Sequence, residues 1–237
     1  MEIRGERECQ NCGTRWSYYD TGSVTCPDCG SMHSVGVDEE RTLHTAAPVD
    51  LDLTEARERV DADPLHRVAT AAKETCREYV RSRGFVHAGD LQDLDDTYLA
   101  ANELLHAADL FGRSFQPTDE EEYYFLELLR SADRGERPDP VDVPDSMREA
   151  RGLGVADAVK EYRSELRRWY DGEDPAAEDA LEGVREHQKR LRALGGDVEP
   201  STADALAAAI RDLARYLRDD DELALTNARD RLDRLAE

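Results

Sequence analysis

Two copies of a Cys-x-x-Cys-Gly pattern stand near the N-terminus: Cys9-Gln10-Asn11-Cys12-Gly13 and Cys26-Pro27-Asp28-Cys29-Gly30. A Cys-x-x-Cys turn lets two thiolates bind one metal ion from the same side, and the glycine after it tolerates the positive φ on which the turn ends. Two such turns separated by a short spacer are typical of a tetrahedral Zn(Cys)₄ site. The sequence therefore predicts a zinc cofactor with four cysteine ligands: Cys9, Cys12, Cys26 and Cys29.

Four thiolates on one ion leave no open coordination position, so the predicted role of the metal is structural. Free or disulfide-bonded cysteines are one alternative. They are disfavoured because no signal peptide precedes the cysteines, and an oxidising compartment is therefore not expected. Iron is the stronger alternative, since rubredoxins carry similar knuckles and are redox proteins. Their two knuckles lie much further apart than those of this chain, which favours zinc.

Short strand patterns surround the two knuckles. Residues 15–19 alternate between the two faces of a strand, and residues 20–23 supply a turn. Residues 32–37 are a further strand candidate, and residues 1–8 are a candidate edge strand. Three short strands and two knuckles predict a small β zinc ribbon over residues 1–46.

Three aromatic residues follow the first knuckle: Trp16, Tyr18 and Tyr19. They could stack on nucleic-acid bases or on a partner surface, or they could form the core of the ribbon. We expect at least one of the three to belong to the core. Two nearby histidines, His33 and His44, are expected to be ordinary polar residues, because four thiolates already complete the metal site.

The order of these motifs resembles the zinc ribbon of transcription factor B over residues 1–37, with an aromatic strand between the two knuckles. The N-terminus is also similar to a group of uncharacterised haloarchaeal zinc-ribbon-containing proteins. These resemblances imply that the four cysteines bind zinc and that the ribbon docks on a polymerase, another protein or nucleic acid. The cyclin-like repeats of transcription factor B are not evident downstream, so a general initiation factor is not expected.

The composition is strongly acidic: 54 Asp and Glu against 31 Lys and Arg give a formal charge of −23 over 237 residues. Leu, Ile, Val and Phe make up only about a fifth of the chain, which is typical of disorder, but their strong periodicity argues for a folded protein. Excess acid with scarce lysine and plentiful alanine resembles the proteins of salt-in halophilic archaea. In molar salt the Debye length is about 3 Å, so we interpret the charge as a solubility feature.

The charge balance of the predicted ribbon bears on its partner. Residues 1–46 contain four arginines, eight carboxylates and no lysine. Phosphate contacts dominate nucleic-acid affinity, so this balance favours a protein partner over a nucleic acid. No apolar run approaches the roughly 18 residues of a membrane span, and we expect a cytoplasmic protein without a membrane partner.

From residue 54 onward, apolar residues recur at three- and four-residue spacing, as in amphipathic helices. The predicted fold class is therefore a small N-terminal β zinc ribbon followed by an all-α, helical-bundle-like domain. Residues 47–53 are a predicted linker, and residues 54–237 form the acidic all-α domain. Prolines and glycines over residues 131–154 interrupt the periodicity and predict a loop or hinge. Residues typical of helix N-termini mark three of the helices: Asp63-Pro64, Thr118 with Glu121, and Asp174-Pro175.

The helical domain offers few candidates for catalysis. Glu103 and His106 form a Glu-x-x-His pair, but a ferritin-like diiron site needs two such pairs and the sequence holds one. Cys76 is expected to be a small buried apolar residue rather than a nucleophile. The sequence contains no phosphate loop, dinucleotide fingerprint or nucleophile elbow.

The sequence thus predicts a zinc-binding adaptor rather than an enzyme. Its ribbon docks on a protein or nucleic-acid partner, with transcription as the process that the resemblance suggests, and its acidic helical body supplies a second protein contact. Two alternatives stay open: an enzyme with an unrecognised site in the helical domain, and a rubredoxin-like redox module.

Overall fold

The computed structural model of the chain describes residues 1–113 and 117–236. The chain forms two compact units, each built from two segments. The segments are Met1–Val49 with Arg81–Gln92 for the first unit, and Asp50–Val80 with Asp93–Glu237 for the second. Short strands and the cysteine cluster lie in the first unit and long helices dominate the second, which confirms the predicted fold class.

The first unit contains short antiparallel strands: β1 (Glu2–Ile3), β2 (Glu6–Cys9), β3 (Arg15–Ser17), β4 (Ser34–Gly36), β5 (Thr42–Leu43), β6 (Val86–His87) and β7 (Asp90–Leu91). β2 is the central strand of a three-stranded sheet, with β3 and β4 on its two sides. β1 pairs with β5, and β6 pairs with β7. In the register of the sheet Cys9 lies opposite Ser34, so the end of β2 and the start of β4 bring the two knuckles to the same edge.

Two strand predictions differ from the structure. The prediction of one edge strand over residues 1–8 is wrong, because Glu6–Cys9 forms the central strand. The strand predicted over residues 15–19 ends at Ser17, and Tyr18–Thr21 forms a single helical turn, α1. The Ser17 side chain accepts a hydrogen bond from the backbone N–H of Asp20 at 3.3 Å. This local bond caps the helical turn and competes with the strand ladder.

The hairpin β6–β7 was not predicted from the sequence. Its two turn residues, Ala88 and Gly89, have φ of 49° and 91°, as the two-residue turns that match the twist of a hairpin require. The backbone N–H of Gly89 donates to the carbonyl of Leu43 at 2.9 Å, and the N–H of Thr45 donates to the carbonyl of Val86 at 2.8 Å. The hairpin therefore belongs to the first unit, although more than thirty residues of sequence separate it from the ribbon.

The longer helices follow in chain order: α2 (Thr54–Glu58), α3 (Leu65–Ser82), α4 (Asp96–Arg113), α5 (Asp119–Ser131), α6 (Arg148–Trp169), α7 (Pro175–Ala193), α8 (Pro200–Asp219) and α9 (Glu222–Ala236). Short 3₁₀ turns lie between α5 and α6: Ala132–Arg134, Pro140–Asp142 and Asp145–Met147. Two predicted helix starts are confirmed. Thr118 and Glu121 exchange both hydrogen bonds of a capping box, and Asp174 accepts a hydrogen bond from the Ala176 N–H at 2.8 Å.

Helix α4 of the second unit packs against α5 and α6, and the ring of its Tyr98 lies 6.3 Å from that of Tyr79 in α3. α6 also contacts α7 and α8, and α9 packs on α7 and α8. Buried residues surround nearly the whole circumference of α4. The one-sided amphipathic pattern predicted for the helices after residue 54 is therefore too narrow for α4, because a helix contacted on several sides buries residues all round.

The loop predicted over residues 131–154 ends at Met147, and residues 148–154 belong to α6. The prediction is wrong there because Gly152 and Gly154 serve packing rather than a turn. A Cβ on Gly152 would lie 2.1 Å from the carbonyl oxygen of Gly196, and one on Gly154 would lie 2.8 Å from the backbone of Glu103. Only glycine allows the backbones to approach so closely.

The predicted linker over residues 47–53 contains two buried side chains. Leu51 is 7 % exposed and Leu53 is fully buried. Both belong to the second unit, and Leu53 accepts a backbone hydrogen bond from Arg57 in α2 at 3.0 Å. The C-terminal half of this stretch is therefore part of a packed core.

Removal of residues 1–49 tests the assignment of the hairpin to the first unit. The remaining chain keeps the buried residues of the second unit, so we expect its far-ultraviolet circular dichroism to retain most of the helical signal. The hairpin loses its hydrogen bonds to Leu43 and Thr45, so we expect faster tryptic cleavage after Arg81 and Arg83 than in the full chain. Loss of the helical signal, or equal cleavage rates, would contradict this organisation.

Candidate metal centre

All four cysteines named by the sequence meet at one edge of the three-stranded sheet. Their Sγ atoms lie within 4.8 Å of one another. The Sγ–Sγ distance is 3.6 Å between Cys9 and Cys29, and also 3.6 Å between Cys12 and Cys26. Cys9 and Cys26 are buried, whereas Cys12 and Cys29 are exposed. The cluster therefore has one side against the ribbon and one side toward solvent.

The spacing of the sulfur atoms fits a tetrahedral metal ion. Four thiolates about 2.3 Å from a central zinc are about 3.8 Å from one another, close to the observed 3.6 Å. A disulfide would bring two sulfur atoms to about 2.05 Å, much closer than any pair seen here. Tetrahedral sulfur donors suit zinc and iron alike. The four cysteines can therefore hold one metal ion with no position left for a substrate.

The two knuckles share one backbone geometry. In each, the N–H of the first cysteine donates to the carbonyl five residues later at 2.9 Å, and the glycine N–H donates to the first cysteine at 3.0 Å. Gly13 and Gly30 have φ of 79° and 70°, and a Cβ on either would meet nothing within 4 Å. Glycine is thus needed for its positive φ and not for space, as the spacing of the motif predicted.

The electrostatics of the cluster favour an added cation. Burial disfavours the thiolate of Cys9, but the N–H groups of Asn11 and Cys12 together with the neighbouring thiols outweigh it and lower the pKa of Cys9 to about 6. The backbone N–H of Ser31 lowers the pKa of Cys29, but the Cys12 thiol and burial outweigh this and raise the pKa to about 11. Adjacent thiolates repel one another, so ionisation of the whole cluster needs a metal ion among them.

The aromatic residues beside the cluster have different roles. Trp16 is buried and packs with Cys9 and Cys26, which confirms that at least one of the three aromatic residues is core. Tyr19 is half-buried, with its ring 4.9 Å from that of His44. The core of the ribbon is therefore small and lies directly under the sulfur atoms.

Neither neighbouring histidine joins the metal-binding group found among the described residues. His44 is buried, and its Nδ1 accepts a hydrogen bond from the Ala88 N–H at 3.2 Å. Burial, with a smaller contribution from His87, lowers the pKa of His44. His44 thus anchors the turn of the hairpin, while the side chain of His33 is exposed.

The Glu-x-x-His pair of α4 does not form a metal site in the part of the chain that the structure describes. Nε2 of His106 lies 3.0 Å from a carboxylate oxygen of Asp157, and burial lowers the pKa of His106 to about 4. Glu103 is fully buried and accepts hydrogen bonds from Arg137 and Arg151, each at 3.0 Å. The two residues therefore bind different partners.

Glu103 is the centre of a buried ionic network that the sequence did not reveal. The Tyr124 hydroxyl donates to its carboxylate, and Arg151 donates in addition to Asp204 at 2.6 Å. Burial alone would lower the pKa of Arg151, but Glu103 and Asp204 outweigh it and raise the pKa above its usual value. The network joins α4, α5, α6 and α8. The one feature of the sequence that indicates this network is Glu103, a carboxylate among the apolar residues of α4.

Cys76 lies in α3, in the second unit. It is fully buried, and burial, with a contribution from Asp133, raises its pKa to about 12. A thiol that is neutral at physiological pH is a poor nucleophile and a poor metal ligand. The structure thus gives Cys76 the small apolar role that the sequence suggested.

Comparison with known families places the chain beside proteins whose role is not established. The family of unknown function DUF7117 matches residues 1–232. Neither a curated protein nor a solved structure matches the chain. Among the described helices, none combines the length and apolarity that crossing a bilayer requires.

Substitution of a clustered cysteine tests the metal site. We expect the purified chain to carry one metal ion, and Cys9→Ala to lose it, because three thiolates hold the ion less tightly than four. Cys76→Ala is the matched control, since it removes a thiol that lies outside the cluster. Metal per chain is measured by elemental analysis. Equal metal content in wild type and Cys9→Ala would contradict the site.

Substitution of Glu103 tests the buried network. Glu103→Gln removes one of the two carboxylates that Arg137 and Arg151 share, and leaves them with Asp204 alone. Removal of one partner from a buried ion pair costs about 3–5 kcal/mol, and we expect a loss of up to this size. The control is Glu136→Gln, whose exposed pair with Arg134 should contribute less than about 1 kcal/mol. The free energy of unfolding is measured by denaturant titration. Similar losses in the two variants would show that the network is not stabilising.

Proposed function

The chain belongs to the DUF7117 family, and we propose that it is a zinc-binding adaptor whose N-terminal ribbon docks on a protein partner. The observation that carries the proposal is the closed set of four sulfur atoms, which leaves no position for substrate on the metal. Such a metal holds a surface in shape rather than performing a reaction. Zinc is proposed over iron because the two knuckles lie closer together than those of rubredoxins.

The surface beside the second knuckle supports a docking role. Large exposed apolar side chains flank this knuckle in the sequence, before it and along the β4 segment: Val24, Met32, Val35 and Val37. Met32 is 71 % exposed, and Ser34 donates a hydrogen bond to the carbonyl of Val24 at 2.7 Å, which holds this part of the knuckle against β4. Exposed apolar side chains close to one another are typical of interaction sites.

The charge of the ribbon favours a protein over a nucleic acid as its partner. Residues 1–46 hold four arginines against eight carboxylates, and phosphates need basic contacts. The resemblance to transcription factor B points to a partner in transcription. A cytoplasmic location is part of the proposal, because reduced thiolates persist in the cytosol. The acidic composition points to a haloarchaeal source and to binding in concentrated salt.

The identity of the metal separates the adaptor from a redox module. We expect colourless protein with stoichiometric zinc, and loss of the β-sheet signals of the ribbon in NMR spectra after chelation. Four thiolates bind zinc with about 10–16 kcal/mol of apparent free energy in zinc-finger peptides, so the ribbon should unfold without it. A red protein with stoichiometric iron would overturn the proposal in favour of electron transfer.

A pull-down from the source cells at native salt tests docking. We expect a protein that is retained by the wild-type chain and lost with Cys9→Ser, because the unfolded ribbon no longer presents its surface. Met32→Ser should also lose the partner while keeping its zinc, because the residue is exposed and lies outside the metal site.

The matched control for Met32→Ser is Leu223→Ser, which removes a side chain that is 67 % exposed on α9 of the second unit. It should leave the pull-down unchanged. Nuclease treatment of the lysate shows whether nucleic acid mediates the capture. A set of captured proteins that is the same for all four chains would overturn the proposed docking role of the ribbon.

A further inference from the structure

The second unit carries a groove between the start of α5 and the segment that follows Pro140. The groove has a volume of about 450 Å³. Its floor is apolar: Tyr124 and Val143 line it and are 1 % and 7 % exposed. Its walls hold two exposed apolar side chains, Tyr123 at 64 % and Val141 at 89 % exposure. We call this feature the acidic groove, for the carboxylates at its rim.

Three carboxylates line the same groove: Asp119, Glu120 and Asp142. No lysine, arginine or histidine is found among the described residues that line it. None of the three carboxylates forms an ion pair with another residue in the described part of the chain. An apolar floor with a negatively charged rim favours an occupant that has an apolar group flanked by positive charges.

The groove is held in shape from below by the network around Glu103. The hydroxyl of Tyr124, on the floor, donates to Glu103. Arg151 donates to Glu103 and to the carbonyl oxygen of Pro138, each at 3.0 Å. Both walls, α5 and the segment after residue 138, are thus tied to one buried carboxylate. A preformed site loses less conformational entropy when it binds.

We propose that the acidic groove docks a basic polypeptide segment, in which one bulky apolar side chain enters the groove and flanking lysines or arginines meet the rim. A nucleic acid does not fit, because its phosphates would face three carboxylates. A second copy of this chain is the less favoured occupant, because its 54 acidic against 31 basic residues offer poor charge complementarity to an acidic rim at contact distance. The inference goes beyond the docking of the ribbon and is independent of it.

The test begins with a selection of phage-displayed random peptides on the full, metal-loaded chain, at a salt concentration that gives full helical circular dichroism. We expect the selected peptides to share a bulky apolar residue with lysine or arginine on both sides. One such peptide is then labelled with fluorescein and titrated by fluorescence anisotropy. Selection of peptides without this pattern would overturn the proposal.

Substitutions in the groove locate the binding. Val141→Ser removes an exposed apolar side chain from the wall without changing the charge, and we expect it to weaken peptide binding at least about tenfold. Asp119→Asn removes one rim charge and should weaken binding less. Leu223→Ser is the matched control on α9 and should bind as the wild type does. Equal affinity in Val141→Ser and Leu223→Ser would place the peptide elsewhere and overturn the proposal.

Two further measurements separate the possible outcomes. Met32→Ser should bind the peptide with wild-type affinity, because Met32 does not line the acidic groove. This result is expected whether or not the ribbon proposal is correct. Light scattering gives the mass of the free chain, and circular dichroism confirms that each variant is folded. A dimer that Val141→Ser dissociates would assign the groove to a second copy of the chain and overturn the basic-peptide proposal.

Discussion

Convergence of four sulfur atoms within 4.8 Å of one another is the constraint on which the first unit depends. Its strands are two to four residues long. The buried cluster beside the knuckles is Trp16 with Cys9 and Cys26, and the hairpin segment adds Phe85, Val86 and Leu91. A core of that size buries too little apolar surface to offset the entropy of ordering the chain, so domains this small usually need a metal or disulfides. A metal ion held by the four thiolates would supply what a larger core supplies elsewhere.

The second unit differs from the first, because it has a large apolar core and that core contains a buried carboxylate. Glu103 is fully buried, and the network around it satisfies its charge with two guanidinium groups and a phenol. Taking a charge out of water is costly, so the partners must be placed accurately before the arrangement is stable. The network therefore couples the packing of four helices to the position of the segment that borders the acidic groove.

The two proposed surfaces differ in their chemistry, as the proposed binding of two different partners requires. The ribbon exposes the apolar side chains of Met32 and Val35 beside the cysteine cluster. The acidic groove combines an apolar floor with carboxylates that form no ion pair among the described residues. Each surface is fixed by a different polar centre, the thiolate cluster in one unit and the carboxylate Glu103 in the other. Two partners could therefore be recognised by different chemistry, an apolar face and a basic segment.

The sequence by itself determined the cysteine cluster, the strand-then-helix order and the helix caps at Thr118 and Asp174. Most of these features depend on contacts between residues a few positions apart: a knuckle closes over five residues and a capping box over four. The cluster as a whole joins cysteines 14 and 20 positions apart, and the repeated knuckle motif is the signal for that pairing. The sequence did not determine the roles of Gly152 and Gly154, which resemble loop signals but serve helix packing. Nor did it place the hairpin beside residues 43–45, or Arg151 beside Glu103 across 48 positions. Local patterns encode local geometry, whereas these pairings depend on how distant elements pack, and only the tertiary structure decides that.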